Sequence, residues 1–370
     1  MQNVLVLGAG RVGILASSLF VRTGDYFIHL ADRTEPKEKP TIDQHSENLK
    51  YIILDASDKQ AVTNYIKDNN IESIISCLPY FYNIAIAELA KNLDVHYFDL
   101  TEDVKTTEAI EEIASDATTI FAPQCGLAPG FISIVANELM GDFDEVNNVR
   151  MRVGALPLNV TNSLQYGLTW STEGIVNEYA QPCQGIINGE IRTLCPLADT
   201  ETIKIDGLTY EAFNTSGGVG SMIHTYNGKV KNMTYKSVRY PGHGEKMRFL
   251  MNDMKLSEDL PQMCKIMDHA VPRISQDMVL IYVSVDGKSK GHRAERNFAQ
   301  KFPSKELFGR RFSALQLTTA TSLCVTVDLS ISQKKFGAGF LKQEQISLPE
   351  FYNNRFGQYY KMEGLLSQAV

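Results

Sequence analysis

A glycine-rich turn near the start of the chain constrains the fold more than any other feature. The apolar run at residues 4–7 leads into Gly8-x-Gly10-x-x-Gly13, and apolar residues at helical spacing follow. In such a strand–turn–helix unit, the first glycine permits the tight turn, the second lets a pyrophosphate approach the backbone, and the third lets the helix lie against the strand. A structural glycine turn is the alternative, but the context favours a dinucleotide site formed by Gly8, Gly10, Arg11, Val12 and Gly13.

The end of the second strand-like run bears on the choice of cofactor. This run, at residues 26–31, ends at Asp32, 19 residues after Gly13, where the acid that binds the ribose is expected. A carboxylate accepts hydrogen bonds from ribose hydroxyls and repels a 2′-phosphate, so Asp32 favours NAD over NADP. The neighbouring Arg33 either pairs with such a phosphate or stacks on the adenine, and the sequence leaves both open.

Strand-like and helical patterns alternate over the first third of the chain. Short apolar runs separated by helical stretches predict an α/β, Rossmann-type, doubly wound parallel sheet. The predicted strands are residues 3–7, 26–31, 51–54, 72–77, 95–100 and 119–122, and the predicted helices are 12–22, 58–69, 82–92 and 105–117.

The pattern changes after about residue 145, where longer strand-like runs lack regular helical crossovers. This change predicts a second, α+β domain with a mostly antiparallel sheet. Its predicted strands are residues 147–156, 184–195, 201–213, 229–240, 278–286 and 313–332, and its predicted helices are 131–140, 172–179, 243–252, 258–268 and 291–300. We therefore expect a nucleotide-binding domain at 1–128, a substrate-binding and oligomerisation domain at 129–340, and a C-terminal segment at 341–370 that packs on the first domain.

Composition limits the classes of partner. The chain has 370 residues, 44% of them apolar, with a net charge of −7 and a pI of about 5.6. Acidic and basic residues are interspersed, which argues against a nucleic acid or a membrane as partner and leaves a small molecule. The six cysteines lack metal-ligand spacing, so we expect reduced thiols and no metal site. The first strand begins at the N-terminus, which favours a cytoplasmic protein.

Polar residues follow the predicted parallel strands where each strand ends. Ligands of doubly wound sheets gather at the carboxyl ends of the strands. These ends carry Gly8, Asp32, Asp55, residues 77–80 and Asp99. Asp55 is therefore predicted to contact the cofactor, and Asp99 the substrate.

Four later stretches carry a resemblance to a known family. They are residues 77–83, 126–130, 170–174 and, most specifically, Tyr235-Lys-Ser-Val-Arg239-Tyr-Pro-Gly-His243. Together they resemble the saccharopine dehydrogenase and lysine 6-dehydrogenase family over nearly the whole chain. The resemblance implies that the second domain holds an amino acid whose ε-nitrogen-bearing carbon exchanges a hydride with the nicotinamide. It also implies a homo-oligomer, which we expect to be a dimer.

Departures from the family pattern indicate a branch. The NADP-using fungal saccharopine reductases tend to have a neutral residue and an arginine where this chain has Asp32 and Arg33. Asp32 therefore indicates the NAD-dependent branch. In the segment that resembles residues 170–174, the same reductases can carry an arginine that holds a substrate carboxylate. This chain has Glu173 at that position, and an acidic side chain suits a substrate ammonium better. Lysine 6-dehydrogenases resemble the chain at this position.

The resemblance also implies contacts for residues that otherwise belong to ordinary turns. The cofactor contacts are Cys77, Leu78, Pro79, Asn83, Pro129 and Gly130, and Tyr80 is a substrate contact. The residues themselves suggest a further substrate contact at Thr215, Ser216 and Gly217, because this turn after a strand-like run offers hydroxyls and backbone N–H groups to a carboxylate, and a plain glycine turn is the equal alternative. Turn chemistry alone also accounts for these residue types.

Two charged residues have both a functional and a structural interpretation. An α-amino acid substrate needs an anion site for its carboxylate. The planar guanidinium of Arg239 can bind a carboxylate through two hydrogen bonds, and a structural salt bridge explains the presence of this arginine equally well. Glu173 either holds the substrate ammonium or stabilises the start of the helix near residues 171–172.

Amine oxidation requires the nitrogen to lose a proton before the hydride leaves its carbon. His243 suits that step by side-chain type and lies close to Arg239 in the sequence, but it can instead orient a backbone carbonyl. Glu173, Lys236 and His224 are the rivals, and Cys125 lacks the paired histidine of a nucleophile. We therefore name His243 and Glu173 as catalytic candidates.

Taken together, the sequence predicts an NAD-dependent oxidoreductase acting on CH–NH groups. The predicted reaction interconverts saccharopine with 2-aminoadipate 6-semialdehyde and glutamate. The alternative within the family is lysine 6-dehydrogenase, which deaminates lysine at the same carbon. The alternative outside enzymes is a nucleotide-sensing protein that retains the fold without activity.

Overall fold

A computed structural model gives the structure of the protein over residues 1–35, 39–42 and 44–361. Within these residues the chain forms a parallel sheet of seven strands, a mixed sheet of eight and a hairpin of two. The predicted fold class, a Rossmann-type α/β domain followed by an α+β domain with a mostly antiparallel sheet, is confirmed.

Regular alternation of strands and helices builds the first domain. Aspartates at two helix starts satisfy free backbone N–H groups: Asp58 accepts from Ala61, and Asp103 accepts from Thr106. The elements are β1 (Gln2–Leu7), α1 (Arg11–Val21), β2 (Tyr26–Asp32), β3 (Leu49–Ile53), α2 (Lys59–Asp68), β4 (Ser73–Ser76), α3 (Asn83–Asn92), β5 (His96–Asp99), α4 (Val104–Ile113) and β6 (Ile120–Ala122).

The second part of the chain combines long strands with helices. A π-helical turn continues two of its helices, at Phe249–Asp253 and at Asp328–Ser332. Its elements are α5 (Phe131–Met140), β7 (Glu145–Pro157), α6 (Thr172–Ala180), β8 (Cys183–Ile187), β9 (Glu190–Leu194), β10 (Glu201–Ile205), β11 (Leu208–Asn214), α7 (Met222–Tyr226), β12 (Asn232–Arg239), α8 (His243–Arg248), α9 (Leu260–Ala270), β13 (Asp277–Ser289), β14 (His292–Pro303), β15 (Lys305–Leu307), β16 (Arg310–Phe312), α10 (Ala314–Val327), β17 (Gly339–Phe340) and α11 (Leu348–Asn353).

The parallel sheet has the strand order β17-β6-β5-β4-β1-β2-β3. Strand β1 lies between its neighbours in register, with Val4 opposite both Ile28 of β2 and Ser73 of β4. The order of the strands reverses between β1 and β4. At such a switch point the loops diverge and leave a crevice at the carboxyl ends of the strands, where ligands bind.

The second sheet has the order β10-β11-β12-β7-β13-β14, and β8 attaches the β8–β9 hairpin to β12. Val153 of β7 lies opposite Ser237 of the parallel strand β12 and Ile281 of the antiparallel strand β13. The pairing of β7 with β12 is the parallel part of an otherwise antiparallel ladder. Helices α5 and α10 pack on this sheet against β13.

Two predicted elements of the second domain are of the wrong type, and the predicted strands 184–195 and 201–213 are each divided by a turn into two strands. Residues 313–332, predicted as a strand, form α10 and its π-helical turn, because this helix is buried on all sides and so lacks the polar face that reveals helical spacing. Residues 291–300 are predicted as a helix, but all of them after the turn residue Gly291 lie in β14, an exposed edge strand whose charged residues resemble those of a surface helix.

Helix α10 joins the two parts of the molecule. It packs on α1 of the first domain and on β13 of the second sheet, and the Cys324 thiol approaches the Ala16 carbonyl at 3.9 Å. Among the described residues, Ala314–Ser332 is also the one helix long and apolar enough to cross a membrane, and 89% of it is buried inside the protein. This burial accounts for its apolar composition.

The segment after α10 contacts both parts of the chain. Strand β17 adds a parallel edge to β6, and the N–H of Leu341 donates to the Phe121 carbonyl. Farther along, Arg355 forms ion pairs with Asp25 of the first domain and with the buried Asp328. The predicted C-terminal segment at 341–370 includes α11, and residues 362–370 lie outside the described residues.

Candidate functional site

A cavity of about 450 Å³ lies between the carboxyl end of the parallel sheet and the second domain. Small-molecule sites commonly have volumes of this order. Sequence-predicted residues that line it are Gly10, Arg11, Val12, Gly13, Cys77, Leu78, Pro79, Tyr80, Pro129, Glu173 and Arg239.

The glycine turn has the geometry of a dinucleotide cradle. Gly8 has a φ of +101°, and a Cβ there would lie 2.8 Å from the Cys77 carbonyl oxygen. A Cβ at Gly13 would lie 2.1 Å from the Gly8 carbonyl oxygen, so the helix approaches the turn as closely as glycine allows. A Cβ at Gly10 would instead meet open space within 4 Å, on the side that lines the cavity. These observations fit a pyrophosphate resting on the start of α1.

The predicted ribose acid lies beside this turn. The Ala9 N–H donates to Asp32 Oδ2 at 2.9 Å, which holds the carboxylate at the end of β2. Arg33 and Asp55 are exposed near this edge of the sheet. The Asp55 carboxylate accepts two hydrogen bonds from Ser57, one from the backbone N–H and one from the hydroxyl. These hydrogen bonds and the positive charge of Arg33 lower the pKa of Asp55. Neither Arg33 nor Asp55 lines the cavity.

Arg11 connects the glycine turn to the second domain. Its Nη1 donates to the backbone carbonyls of Thr169 at 3.2 Å and Ile274 at 3.1 Å. Gln316, at the start of α10, donates in turn to the Arg11 carbonyl at 2.6 Å. The side chain predicted to contact the cofactor therefore also joins the two domains at the edge of the cavity.

Arg239 lies at the end of β12 and faces the cavity with a side chain that is 4% exposed. Its Nε donates to the Tyr179 hydroxyl at 2.8 Å and its Nη1 donates to the Val238 carbonyl at 2.9 Å. Burial lowers the pKa of Arg239, but Tyr179, Tyr166 and Glu178 outweigh it and hold the pKa above its ordinary value. A permanently charged, oriented guanidinium therefore borders the cavity.

His243 is buried behind Arg239 and does not line the cavity. Its Nδ1 lies 2.7 Å from the Leu164 carbonyl oxygen, which can only accept, so Nδ1 carries the hydrogen. Its Nε2 then accepts from the Tyr179 hydroxyl, 3.0 Å away. Burial, and next the charge of Arg239, lower the pKa of His243 to about 3. The ring therefore has the contacts of the structural alternative considered for it, and it lies outside the cavity where a substrate nitrogen would bind.

Two glutamates that the sequence did not single out occupy the cavity near Arg239. Glu178 lies on α6, is 7% exposed, and has Oε2 3.9 Å from Arg239 Nη2. Glu102 follows β5 and lines the same cavity. Burial raises the pKa of Glu178 to about 7. Burial, and next the negative charge of Glu178, raise the pKa of Glu102 to about 8.

Glu173 lies at the exposed start of α6 and lines the cavity. Ser171 caps this helix by accepting from the Gly174 N–H, and its hydroxyl donates to Glu173 Oε2 at 2.8 Å. Both sequence interpretations of Glu173 therefore have a basis in the structure, because it stabilises the helix start and also faces the cavity. Trp170, the only tryptophan in the sequence, lines the cavity next to it.

Several predicted contacts lie behind the cavity. Asp99 is buried and accepts hydrogen bonds from Tyr97, Thr101 and Gln124, and Asn83 accepts from Ser76 at the start of α3. Gly130 has a φ of +128° and approaches the Gly126 carbonyl. These residues shape the loops at the strand ends, and their polar groups are occupied by the protein itself.

The predicted turn at residues 214–218 also supports the cavity indirectly. The Thr215 hydroxyl is 2.9 Å from that of Ser237, which lines the cavity. The Ser216 hydroxyl donates to the Pro182 carbonyl, and its N–H donates to the Glu178 carbonyl. Gly217 approaches the Glu102 backbone so closely that a Cβ would lie 2.2 Å from its carbonyl oxygen. The turn therefore holds both glutamates in place.

Other cavity residues were missed because their elements meet only in the folded chain. Glu102 comes from the first domain, Glu178 from α6, and Arg273 from the loop before β13. A signal for Glu178 was present, since it is an acid within the apolar run of Ile175, Val176 and Tyr179. Further lining residues not predicted as contacts are Thr101, Trp170, Tyr235, Ser237 and Gln316.

Family models match both parts of the chain. The family model described as the saccharopine dehydrogenase NADP binding domain matches residues 4–121, and that described as the saccharopine dehydrogenase C-terminal domain matches residues 126–364. Mitochondrial alpha-aminoadipic semialdehyde synthase of Mus musculus is 23% identical over 197 residues, covering 51% of this chain. The match spans 21% of that protein's length.

Among solved structures, apo saccharopine dehydrogenase (L-Glu forming) from Saccharomyces cerevisiae is similar over 97% of this chain and 96% of that chain. Its TM-score is 0.73 at 16% identity. DAP dehydrogenase of C. glutamicum, in complex with DAP, covers 97% of this chain and 98% of its own, with a TM-score of 0.48 at 10% identity.

The fold and the cavity are those of a two-domain protein whose first domain carries a Rossmann-type dinucleotide-binding turn. Because both family models match and one of them spans well over half of the chain, the protein belongs to the saccharopine dehydrogenase family. The family resemblance of the sequence is thereby confirmed.

Proposed function

We propose that the protein oxidises a CH–NH group of an amino acid with NAD and interconverts saccharopine with 2-aminoadipate 6-semialdehyde and glutamate. One observation carries this proposal: the open side of the glycine turn at Gly10 and the guanidinium of Arg239 border the same cavity. A dinucleotide on the turn and a carboxylate on Arg239 would thus share one space. When bound, the nicotinamide accepts the hydride.

The choice of NAD is supported by the position of Asp32. Its carboxylate is held beside the glycine turn by Ala9, where a ribose hydroxyl would meet an acceptor and a 2′-phosphate would meet a negative charge. Arg33 is exposed beyond it. The family model for this domain is described as NADP binding, so the direct test compares both dinucleotides.

The charges around the cavity favour saccharopine over lysine. Saccharopine carries three carboxylates and lysine one, and Arg273 and Arg11 line the cavity in addition to Arg239. Arg273 is 56% exposed on its side chain and pairs with Asp268 at 2.7 Å. It therefore lies at the mouth, where the second part of a long substrate would meet it. Arg239 is proposed as the inner carboxylate site, because its planar fork is oriented and buried.

Each remaining group has a proposed part in binding. Glu173 faces the cavity and is proposed to attract the α-ammonium of the substrate, while Tyr80 and Trp170 supply apolar surface beside the dinucleotide turn. Arg11 keeps the second domain against the turn through its two carbonyl contacts. Holding the substrate over the turn excludes water from the carbon that loses the hydride.

The test is formation of the reduced dinucleotide by purified protein at alkaline pH, with saccharopine and lysine as separate substrates and with NAD and NADP as separate oxidants. Turnover of saccharopine with NAD supports the proposal. Turnover of lysine alone assigns the protein to the deaminating reaction. Binding of a dinucleotide without oxidation of either amine contradicts the proposed activity and supports a sensing role.

A further inference from the structure

Glu178 and Glu102 bring two carboxyl groups from different domains into one cavity. Glu178 projects from α6 of the second domain, and Glu102 follows β5 of the first. Gly217 packs closely on the backbone of Glu102, and the Ser216 N–H donates a hydrogen bond to the backbone carbonyl of Glu178. The fold therefore fixes the backbones of the two residues and places both in the lining of the space where a substrate would bind.

The Glu178 carboxylate retains unused acceptor capacity. Within the described residues its side chain receives no hydrogen bond, and its ion pair with Arg239 is 3.9 Å long. Glu344 provides a contrast at similar burial, because its two oxygens accept from the hydroxyls of Ser221 and Thr225. A carboxylate that is buried, weakly paired and open to a cavity is available to a ligand.

Burial makes the ionisation of both groups unfavourable, and the negative charge of Glu178 further opposes the ionisation of Glu102. The pKa of Glu178 is raised to about 7 and that of Glu102 to about 8. Between about pH 7 and pH 8 the pair therefore holds about one proton, and the titration belongs to the pair more than to either residue. A proton acceptor works best when its pKa lies near the operating pH.

We propose that Glu178, with Glu102 beside it, accepts the proton of the substrate nitrogen, an assignment that rests on the proposed amine oxidation. The N–H bond breaks, its electron pair stays on nitrogen, and the proton moves to a Glu178 oxygen. The electron pair of the neighbouring C–H bond then leaves as hydride to the oxidised nicotinamide dinucleotide, while the nitrogen pair forms the C=N bond. In the reductive direction Glu178 returns the proton.

The environment of Glu178 determines the expected pH dependence. Arg239 lowers its pKa, and the phenol and thiol groups nearby stay protonated because burial raises their pKa values. The charged or titratable groups that face it are Arg239, Glu102, Tyr166, Tyr179, Cys183 and Tyr235. In the forward direction kcat/KM should therefore rise with pH around the pKa of the pair, near 7.

The experiment compares the pH profiles of Glu178→Gln, Glu178→Asp and Glu102→Gln with that of the intact protein. Glu178→Gln should lower kcat by about 10²-fold or more and abolish the rise of kcat/KM near neutral pH. Glu178→Asp should keep the rise at a reduced rate. Glu102→Gln should also keep it, because a neutral amide resembles the protonated Glu102 beside which Glu178 ionises.

Two controls separate chemistry from folding. Glu344→Gln removes a buried carboxylate away from the cavity and should leave kcat within about twofold. Dinucleotide affinity, followed by energy transfer from Trp170 to the reduced dinucleotide, should be the same in Glu178→Gln and the intact protein. Calorimetry of saccharopine binding in buffers of different ionisation enthalpy provides a readout besides turnover, because Glu178→Gln should change the number of protons exchanged.

The outcomes distinguish the two proposals. If the intact protein oxidises saccharopine or lysine and Glu178→Gln keeps its rate and pH profile, Glu178 is not the proton acceptor, although the proposed oxidation stands. If the intact protein binds the dinucleotide but oxidises neither amine, the proposed function fails and the assignment of Glu178 fails with it.

Discussion

Replacing Tyr179 by phenylalanine tests the hydrogen-bond chain behind the cavity. The Tyr179 hydroxyl accepts from Arg239 Nε at 2.8 Å and donates to His243 Nε2 at 3.0 Å. His243 in turn donates from Nδ1 to the Leu164 carbonyl. The chain thus orients the guanidinium that we propose as the carboxylate site, and one hydroxyl connects its two halves.

The expected loss follows from the groups left without partners. Arg239 and His243 are both buried, so removing the hydroxyl leaves a charged donor and a ring nitrogen unsatisfied. A hydrogen bond to a charged group contributes about 1.5–3 kcal/mol, and an orphaned buried acceptor costs a similar amount, so Tyr179→Phe should destabilise the protein by about 2–4 kcal/mol. The freed guanidinium should also bind the substrate carboxylate less well, raising KM about tenfold.

Urea unfolding and steady-state kinetics measure the two effects. Tyr360→Phe is the matched control, because this buried tyrosine makes one neutral hydrogen bond, to the Thr318 carbonyl at 2.7 Å, and does not line the cavity. It should cost about 1 kcal/mol and leave KM unchanged. The reasoning is refuted if Tyr179→Phe costs no more than Tyr360→Phe and leaves KM at its original value.

Three further predictions follow from the site. His243 has a pKa of about 3 in the folded chain and 6.5 in the unfolded chain, so its contribution to stability is complete above pH 6.5 and is lost as pH falls towards 3. At pH 5 the loss of unfolding free energy should be about 2 kcal/mol. Denaturant titrations should show that the unfolding free energy of His243→Gln falls less steeply with acidification than that of the intact protein, and equal slopes would contradict this. Asp32→Asn keeps an acceptor for the Ala9 N–H but removes the charge, so NADH affinity should fall relative to NADPH affinity by about tenfold in the Trp170 energy-transfer assay. An unchanged ratio would remove Asp32 from cofactor selection. Arg273→Met should raise the KM for saccharopine about tenfold and leave any KM for lysine unchanged, since only the longer substrate reaches the mouth of the cavity. An equal effect on both substrates would argue against a second carboxylate site at Arg273.

The first domain could be predicted closely from the sequence because its structure depends on local signals. Strand β1 and helix α2, for example, are present over nearly the residues predicted, since short apolar strands and capped helices are encoded by neighbouring residues. The fate of α10 shows the limit of this reasoning. Contacts with α1 and β13 bury this helix on all sides, and both elements are distant from it in the sequence, so a local pattern cannot predict the burial.

The candidate site was predictable on the cofactor side and less so on the substrate side. The glycine turn is one continuous stretch, so Gly10 and Gly13 lie where the spacing places them. The role suggested for His243 depended on proximity to Arg239 in the sequence, and the fold places the ring behind the guanidinium instead of in the cavity. The raised pKa values of Glu102 and Glu178 arise from burial by both domains, which single residues do not reveal.

The shared position of α10 has a consequence for how the protein melts. Because this helix packs at once on α1 and on β13, loss of either domain would expose the apolar surface that it covers on the other. The two domains should therefore unfold in one cooperative heat-absorption peak, without a stage in which one survives alone. A dinucleotide bound at the glycine turn would then raise the melting temperature of the whole chain, including the second sheet that it never touches.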